Sequence, residues 1–190
     1  MAAARLPQTL RTERLRLRAF VASDAAALAR IAGVYSVARN TWGIPLPYSP
    51  AAAAAWISDL VEREAAGLER IFAITLGEPS SSELCGAVGL TLESEHARAE
   101  LGYWLGENFR GHGYAREAVS CVLAQAFAEL GLARIYAHCI TDNRASLNLL
   151  EALGFEREGL LRGHICKDDT RLDVFVYGLL KAPTAHFLAL

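Results

Sequence analysis

Apolar and polar residues alternate strictly along "RLRLRAF" (14–20), the pattern of a half-buried strand. The period then changes. "SDAAALARIAG" (23–33) starts at Ser23 or Asp24 as a cap and stops at Gly33, which predicts a helix. "TWGIPLPYSP" (41–50) breaks the periodicity with Gly and Pro around Trp42 and Tyr48 and predicts a shaped loop. A second helix covers 51–67 and is stopped by Gly67. "RIFAITLG" (70–77), "LCGAVGLTLES" (84–94) and "ARAELGYWLG" (97–106) read as strands of a meander, with a hairpin loop over 78–83. In "YAREAVSCVLAQAFAEL" (114–130) apolar positions recur at three and four, and Gly131 follows, so this is the most convincing helix of the chain. A strand over 133–141, a short helix over 143–154 and a closing antiparallel pair, "FEREGLLRGHI" and "TRLDVFVYGLL", complete the pattern. Residues 181–190 read as a tail.

The predicted order is β-α-α-β-β-β-α-β-α-β-β. Strands in groups with helices between them predict an α+β (mixed α/β) domain around one central sheet. At 190 residues the chain can bury a substantial core, and no repeat, low-complexity tract or long linker divides it. Composition narrows the functional classes. With 53% hydrophobic and 21% charged residues the chain is globular, and a net charge of −2 supplies no basic field for a nucleic-acid partner. No apolar run approaches the ~20 residues of a membrane span, and the first twenty residues lack the apolar core of a signal peptide. Cys85, Cys121, Cys139 and Cys166 are scattered without a CxxC, so neither a disulfide framework nor a metal site is expected. Reduced thiols fit a cytoplasmic protein.

The candidate chemistry lies in "GYWLGENFRGHGYAREAV" (102–119), where two glycines bracket a histidine between a strand and a long helix. The first N–H groups of a helix have no intrahelical partner, and the helix dipole favours an anion there. Gly111 and Gly113 would let a phosphate approach bare backbone, and Arg110 and Arg116 could add charge-assisted hydrogen bonds. No Gly-Lys-Ser/Thr follows, so this is not a Walker loop. Arg116 stands where a dinucleotide fingerprint would need its third glycine. The loop alone leaves two readings open, a phosphate site and a plain turn with a surface arginine.

"RGHGYA" fits Arg/Gln-x-x-Gly-x-Gly/Ala, with Arg110, Gly113 and Ala115 in the defining places, and so resembles the acetyl-CoA loop of the GNAT N-acetyltransferase superfamily. "LRTERLRLRAFVASDAAAL" (10–28) is similar to the opening of its RimJ/RimL-like branch, the ribosomal-protein N-terminal acetyltransferases and their relatives. "ITDNRASLNLLEALGFEREGLLR" (140–162) resembles that branch's Asn-x-x-Ser helix, and "LDVFVYGLL" its final strand. The resemblance implies a single N-acetyltransferase domain with its core over about 10–181 and a mostly antiparallel, splayed seven-stranded sheet flanked by about four helices.

The resemblance also assigns expected roles. The pantetheine of acetyl-CoA would pair with main-chain groups of Tyr103, Trp104 and Leu105, as an added strand on an open edge. The pyrophosphate would rest on backbone N–H groups of Gly111, His112, Gly113, Tyr114, Ala115 and Arg116, beside Arg110. Asn143 would hydrogen-bond the pantetheine arm while also serving as an N-cap. Acetyl would pass directly from thioester to amine, with an N–H near Tyr103 as oxyanion donor. Ser146 would protonate the leaving thiolate, because Leu150 stands where many family members carry a tyrosine. Glu100 is the first candidate for the base and His138 the second, the histidine standing where some peptide N-terminal acetyltransferases carry a glutamate. His112 receives no catalytic role.

Acceptor choice is expected from the 41–50 loop, with Trp42 and Tyr48 as an apolar wall, and from the 162–170 hairpin. A peptide or protein N-terminus fits the RimJ/RimL likeness, but members of this branch also acetylate polyamines, amino acids and antibiotics. Asp168 and Asp169 would favour a polycation if they lined the site, and otherwise form a solvated turn. The rival classes are a small-molecule acetyltransferase and a non-catalytic acyl-CoA-binding module. Monomers and homodimers both occur in such a family.

Overall fold

The computed structural model describes residues 6–77 and 82–181. Most of the 78–83 hairpin loop, the 182–190 part of the tail and the first five residues lie outside them. The strands are β1 (Thr9–Arg11), β2 (Leu15–Arg18), β3 (Glu69–Leu76), β4 (Glu83–Glu93), β5 (Arg98–Leu105), β6 (Arg134–Ile140), β7 (Glu156–Lys167) and β8 (Thr170–Leu180). The helices are α1 (Ala25–Ala32), α2 (Tyr35–Ala38), α3 (Pro50–Ala65), α4 (Tyr114–Glu129) and α5 (Arg144–Ala152). One sheet runs in the order β1-β2-β3-β4-β5-β6-β8-β7.

Every described neighbouring pair is antiparallel except β5 and β6, which α4 joins as a parallel crossover. The strand count rises from the expected seven to eight because Thr9–Arg11 folds back on β2. Three residues are too short to display an alternation. Likewise α2 is a single turn, below what periodicity can detect.

The two faces of the sheet bury separate cores. On one, α4 and α5 cover Leu17, Phe72, Val88, Leu101, Ile135 and Tyr177. On the other, α1 and α3 cover Ala73, Leu84 and Ala87. Helix α3 begins as its sequence dictates, with Ser49 Oγ accepting from the Ala52 N–H at 3.1 Å and Pro50 in the first turn.

Helix α1 begins differently from expectation. Neither Ser23 nor Asp24 caps it with its side chain, and a 3-10 turn over Ala22–Asp24 precedes it. Asp24 instead reaches back to the Val21 N–H at 2.9 Å and takes both Arg18 guanidinium nitrogens at 2.7 and 2.8 Å. This bidentate pair ties β2 to the entry of α1. The Asp24 side chain is only 9% exposed, so removing it strands a half-buried guanidinium. Asp24→Ala is expected to destabilise the fold by about 3 kcal/mol, read by urea unfolding. Stability within 1 kcal/mol of wild type would show that the pair contributes little.

Candidate active site

Strands β5 and β6 pair only over Arg98–Glu100 and Arg134–Tyr136. Beyond that point β5 stays paired with β4 as far as Leu105, and β6 with β8 as far as Ile140. Each strand is held on its outer edge, and the twist of the two sheet halves carries them apart. Main-chain groups from Leu101 to Leu105 therefore have no β6 partner in the opening. Tyr103, Trp104 and Leu105, expected to pair with an extended amide-bearing arm, lie there and line a cavity of about 640 Å³.

At one end of the cavity stands the glycine loop. Gly111 and Gly113 both have positive φ, +79° and +80°, and a Cβ on Gly111 would meet nothing within 4 Å. Gly113 is the N-cap of α4, whose first intrahelical bond runs from the Glu117 N–H to the Gly113 carbonyl. The N–H groups of Tyr114, Ala115 and Arg116 precede that bond and are free for an anion. Arg116 is exposed and lines the cavity.

Arg110 differs from expectation in this loop, whereas the His112 side chain points away from the cavity as expected. The Arg110 guanidinium turns back to the Leu105 and Ser36 carbonyls, each at 3.2 Å, and so braces the end of β5 against α2. The His112 ring stacks on Tyr114 with 5.4 Å between centroids and does not line the cavity. The loop is instead held by Arg14, which was not among the sequence candidates. It donates to the His112 carbonyl at 2.9 Å, lies 4.8 Å over the Tyr114 ring and pairs with Glu117 at 2.6 Å. Burial pushes the Glu117 carboxyl up, but donors from Thr12 and Arg14 outweigh it and hold the group below the usual range. No local pattern announces Arg14, because its partners lie about a hundred residues away.

On the α4–α5 face of the opening, Asn143 caps α5 by accepting from the Ser146 N–H at 3.3 Å. The Ser146 hydroxyl is not bonded back to its own helix. Its Oγ meets the Tyr103 Oη at 2.7 Å, which links α5 to β5 across the cavity. Burial pushes the Tyr103 phenol well above its usual range, so it is a neutral hydroxyl. Sequence reading used Tyr103 for its backbone and missed this side chain. Leu150 is fully buried.

On the opposite face, Glu100 and His138 are partners: Nδ1 and Oε1 are 2.8 Å apart, bridging the strands where they begin to diverge. The β4–β5 register runs unbroken from Glu93 to Gly86, so no bulge disturbs the placement of Glu100. His164 on β7 stacks on His138 at 5.4 Å, and Trp42 stands edge-on to the same ring at 6.4 Å. Trp42 is 48% exposed and lines the cavity as a wall. Tyr48 lines the same side and packs on the α1–α3 core. The Lys167 ammonium fastens this wall, donating to the carbonyls of Ala38, Thr41 and Ile44. Burial lowers its pKa, with Asp168 opposing. Asp168 and Asp169 have positive φ and form the β7–β8 turn, outside the cavity lining.

An anion cradle, an open strand edge and proton-handling groups on both faces thus meet in one cleft. An acetyltransferase (GNAT) domain matches residues 14–156. The chain belongs to the GNAT acetyltransferase family. It is 34% identical to the uncharacterized N-acetyltransferase p20 of Bacillus licheniformis over 92% of this chain and 97% of p20. It is 27% identical to the [ribosomal protein uS5]-alanine N-acetyltransferase of Escherichia coli over 51% of each chain. That match, like one to a 40%-identical Bacillus subtilis relative covering 58% of its length, spans little more than half of the relative. The crystal structure of a ribosomal-protein-S5-alanine acetyltransferase from Vibrio fischeri shares the fold, with a TM-score of 0.78, 22% identity and coverage of 90% of this chain and 96% of that one. GNAT acetyltransferases use acetyl-CoA, and the cradle and open edge suit its pyrophosphate and pantetheine. Among the described residues no cluster of three His, Cys, Asp or Glu could hold a metal ion.

A carboxylate introduced at position 113 would occupy the helix N-terminus itself, with the Arg14 guanidinium beside it. Gly113→Glu is therefore expected to raise the Kd for CoA at least tenfold in isothermal titration. Unchanged affinity in the folded variant would remove the loop from the cofactor site.

Proposed function

We propose that this GNAT enzyme moves acetyl from acetyl-CoA directly to a primary amine, with a peptide or protein N-terminus as acceptor, in the manner of the RimJ/RimL-like branch and in the cytoplasm. The observation that carries the reading is the arrangement of Glu100–His138 and Tyr103–Ser146 on opposite faces of one opening between strands. In this reading the core over about 10–181 is a single acetyltransferase domain. Pyrophosphate binds the Gly111–Arg116 backbone, and pantetheine pairs along Tyr103 to Leu105 with Asn143 on its arm.

The amine nitrogen forms a bond to the thioester carbonyl carbon, and a main-chain N–H near Tyr103 stabilises the oxyanion. Glu100, with His138 behind it, takes the proton that the nitrogen must lose. The C–S bond then breaks, and its electron pair stays on sulfur. Ser146 gives that thiolate a proton while Tyr103 holds the serine hydroxyl in line. The products are the N-acetylated amine and free CoA thiol. Asp168 and Asp169 lie in the turn and not in the cavity, so they do not add to a site for a polycationic acceptor. Small amines with an apolar body are the second reading, since the exposed Trp42 wall would serve them equally.

The test is titration with acetyl-CoA and CoA, followed by thiol release over a panel of peptides and amines. Binding without turnover of any amine would make the protein an acyl-CoA-binding module. Ser146→Ala is expected to lower kcat by about a hundredfold with little change in KM for acetyl-CoA. Tyr103→Phe should lower kcat about tenfold, again without raising KM. Wild-type turnover in either variant removes that residue from the mechanism. Glu100→Gln and His138→Ala should each reduce kcat, with the double variant little worse than the poorer single one, because the pair acts as a unit. Independent, multiplying losses would separate their roles.

A further inference from the structure

The tryptophan count of the chain is three, and Trp42, Trp56 and Trp104 all line the one cavity. Gly102 and Gly89 line the same cavity. Gly102 stands between Glu100 and Trp104 on the face that α1 and α3 cover, and Gly89 of β4 lies opposite it in register. A Cβ on Gly102 would meet nothing within 4 Å, and its φ is not in the left-handed region. At Gly89 a Cβ would come within 2.7 Å of the Arg70 carbonyl oxygen and of Ile71, so that strand contact also requires bare backbone.

The result is a trough floored by Gly102, with Ile71 packed over the neighbouring Gly89 as its border. At one end are the Glu100 carboxylate and, across β4, Thr91, whose hydroxyl reaches Glu69 at 3.3 Å. In the other direction along β5 is Trp104, and Trp56 of α3, packed edge-on to Phe20 at 5.1 Å, lines the same cavity and packs on the same core. The open side of the trough is the gap between β5 and β6.

Resting on the proposed acetyl transfer, we infer that this trough holds the group attached beside the acceptor nitrogen, and that this group is bulky and apolar, preferentially an aromatic ring. The nitrogen must reach Glu100 and His138, which places the next few atoms over Gly102 and the ring between Trp104 and Trp56. Aromatic walls favour such a ring by offset or edge contacts. A methyl or hydroxymethyl group, as on an N-terminal Ala or Ser, would leave the space over Gly102 unfilled. Two sources present the same chemistry: a peptide with an aromatic first residue, and a free arylalkylamine.

The experiment measures kcat/KM by thiol release for Phe- and Trp-initiated peptides, 2-phenylethylamine and tryptamine, against Ala- and Ser-initiated peptides and propylamine. Aromatic acceptors are expected to be favoured about tenfold or more. Gly102→Leu, which fills the trough, should bring that ratio towards one, with Gly102→Ala in between and informative even if the leucine variant fails to fold. Preference for the aromatic peptides alone, or for the arylalkylamines alone, supports the inference and names the source. Equal kcat/KM across the panel overturns it, as does an unchanged ratio in folded Gly102→Leu. If Gly102→Leu alters the choice between acetyl-CoA and butyryl-CoA but not between acceptors, the trough belongs to the acyl chain and the inference fails. Turnover of small amines without aromatic preference sinks this inference alone, whereas acetyl-CoA binding with no thiol release from any acceptor overturns the proposed function as well.

Discussion

The site depends on the loss of pairing between β5 and β6 after Glu100 and Tyr136. A parallel pair continuing to Leu105 would close the sheet and leave no room for a substrate. Past that point each strand is bonded only along its other edge, β5 to β4 and β6 to β8. Main-chain groups left open inside a fold are costly unless something pairs with them. An extended amide arm answers that demand, so an unfinished sheet is also a binding site.

The opening has two chemically different sides because side chains alternate along a strand. From Glu100 to Tyr103 the parity changes, so the carboxylate faces the α1–α3 side and the phenol faces α4 and α5. His138 and Cys139 divide in the same way on β6, with Cys139 buried in the α4–α5 core. A proton can leave on one face and another can be delivered on the other, with the reacting carbon between them. Gly102 lies within this alternation and turns one position of the acceptor face into space.

The supports of the site come from distant parts of the chain. Arg14, on the approach to β2, holds the loop before α4 through the His112 carbonyl and Glu117. Lys167, at the end of β7, holds the wall that carries Trp42. Arg110 braces β5 against α2 through the Leu105 and Ser36 carbonyls, at the edge of the cavity. Each is a charged donor satisfied by main-chain carbonyls or a carboxylate.

Local pattern was enough to determine the order of the longer strands and helices, though not β1 or α2, and it gave the helix that follows the glycine loop and the Asn143 cap, because alternation, helical spacing and turn chemistry are short-range properties. The residues themselves also marked Gly111 and Gly113, whereas Ser146, Glu100 and His138 were marked by the resemblance to the GNAT family. Tertiary structure alone decided that Glu100 and His138 are one unit, that Tyr103 turns a hydroxyl onto Ser146, and that Trp56, Trp104 and Gly102 border one space. Those facts follow from strand register, twist and the packing of α3 and α5 on opposite faces, and they join residues far apart in the chain, 43 positions in the case of Tyr103 and Ser146. The Arg110 guanidinium shows the same division: its place in the motif was plain in the sequence, but its direction was set by the carbonyls of Leu105 and Ser36, which only the folded chain brings within reach.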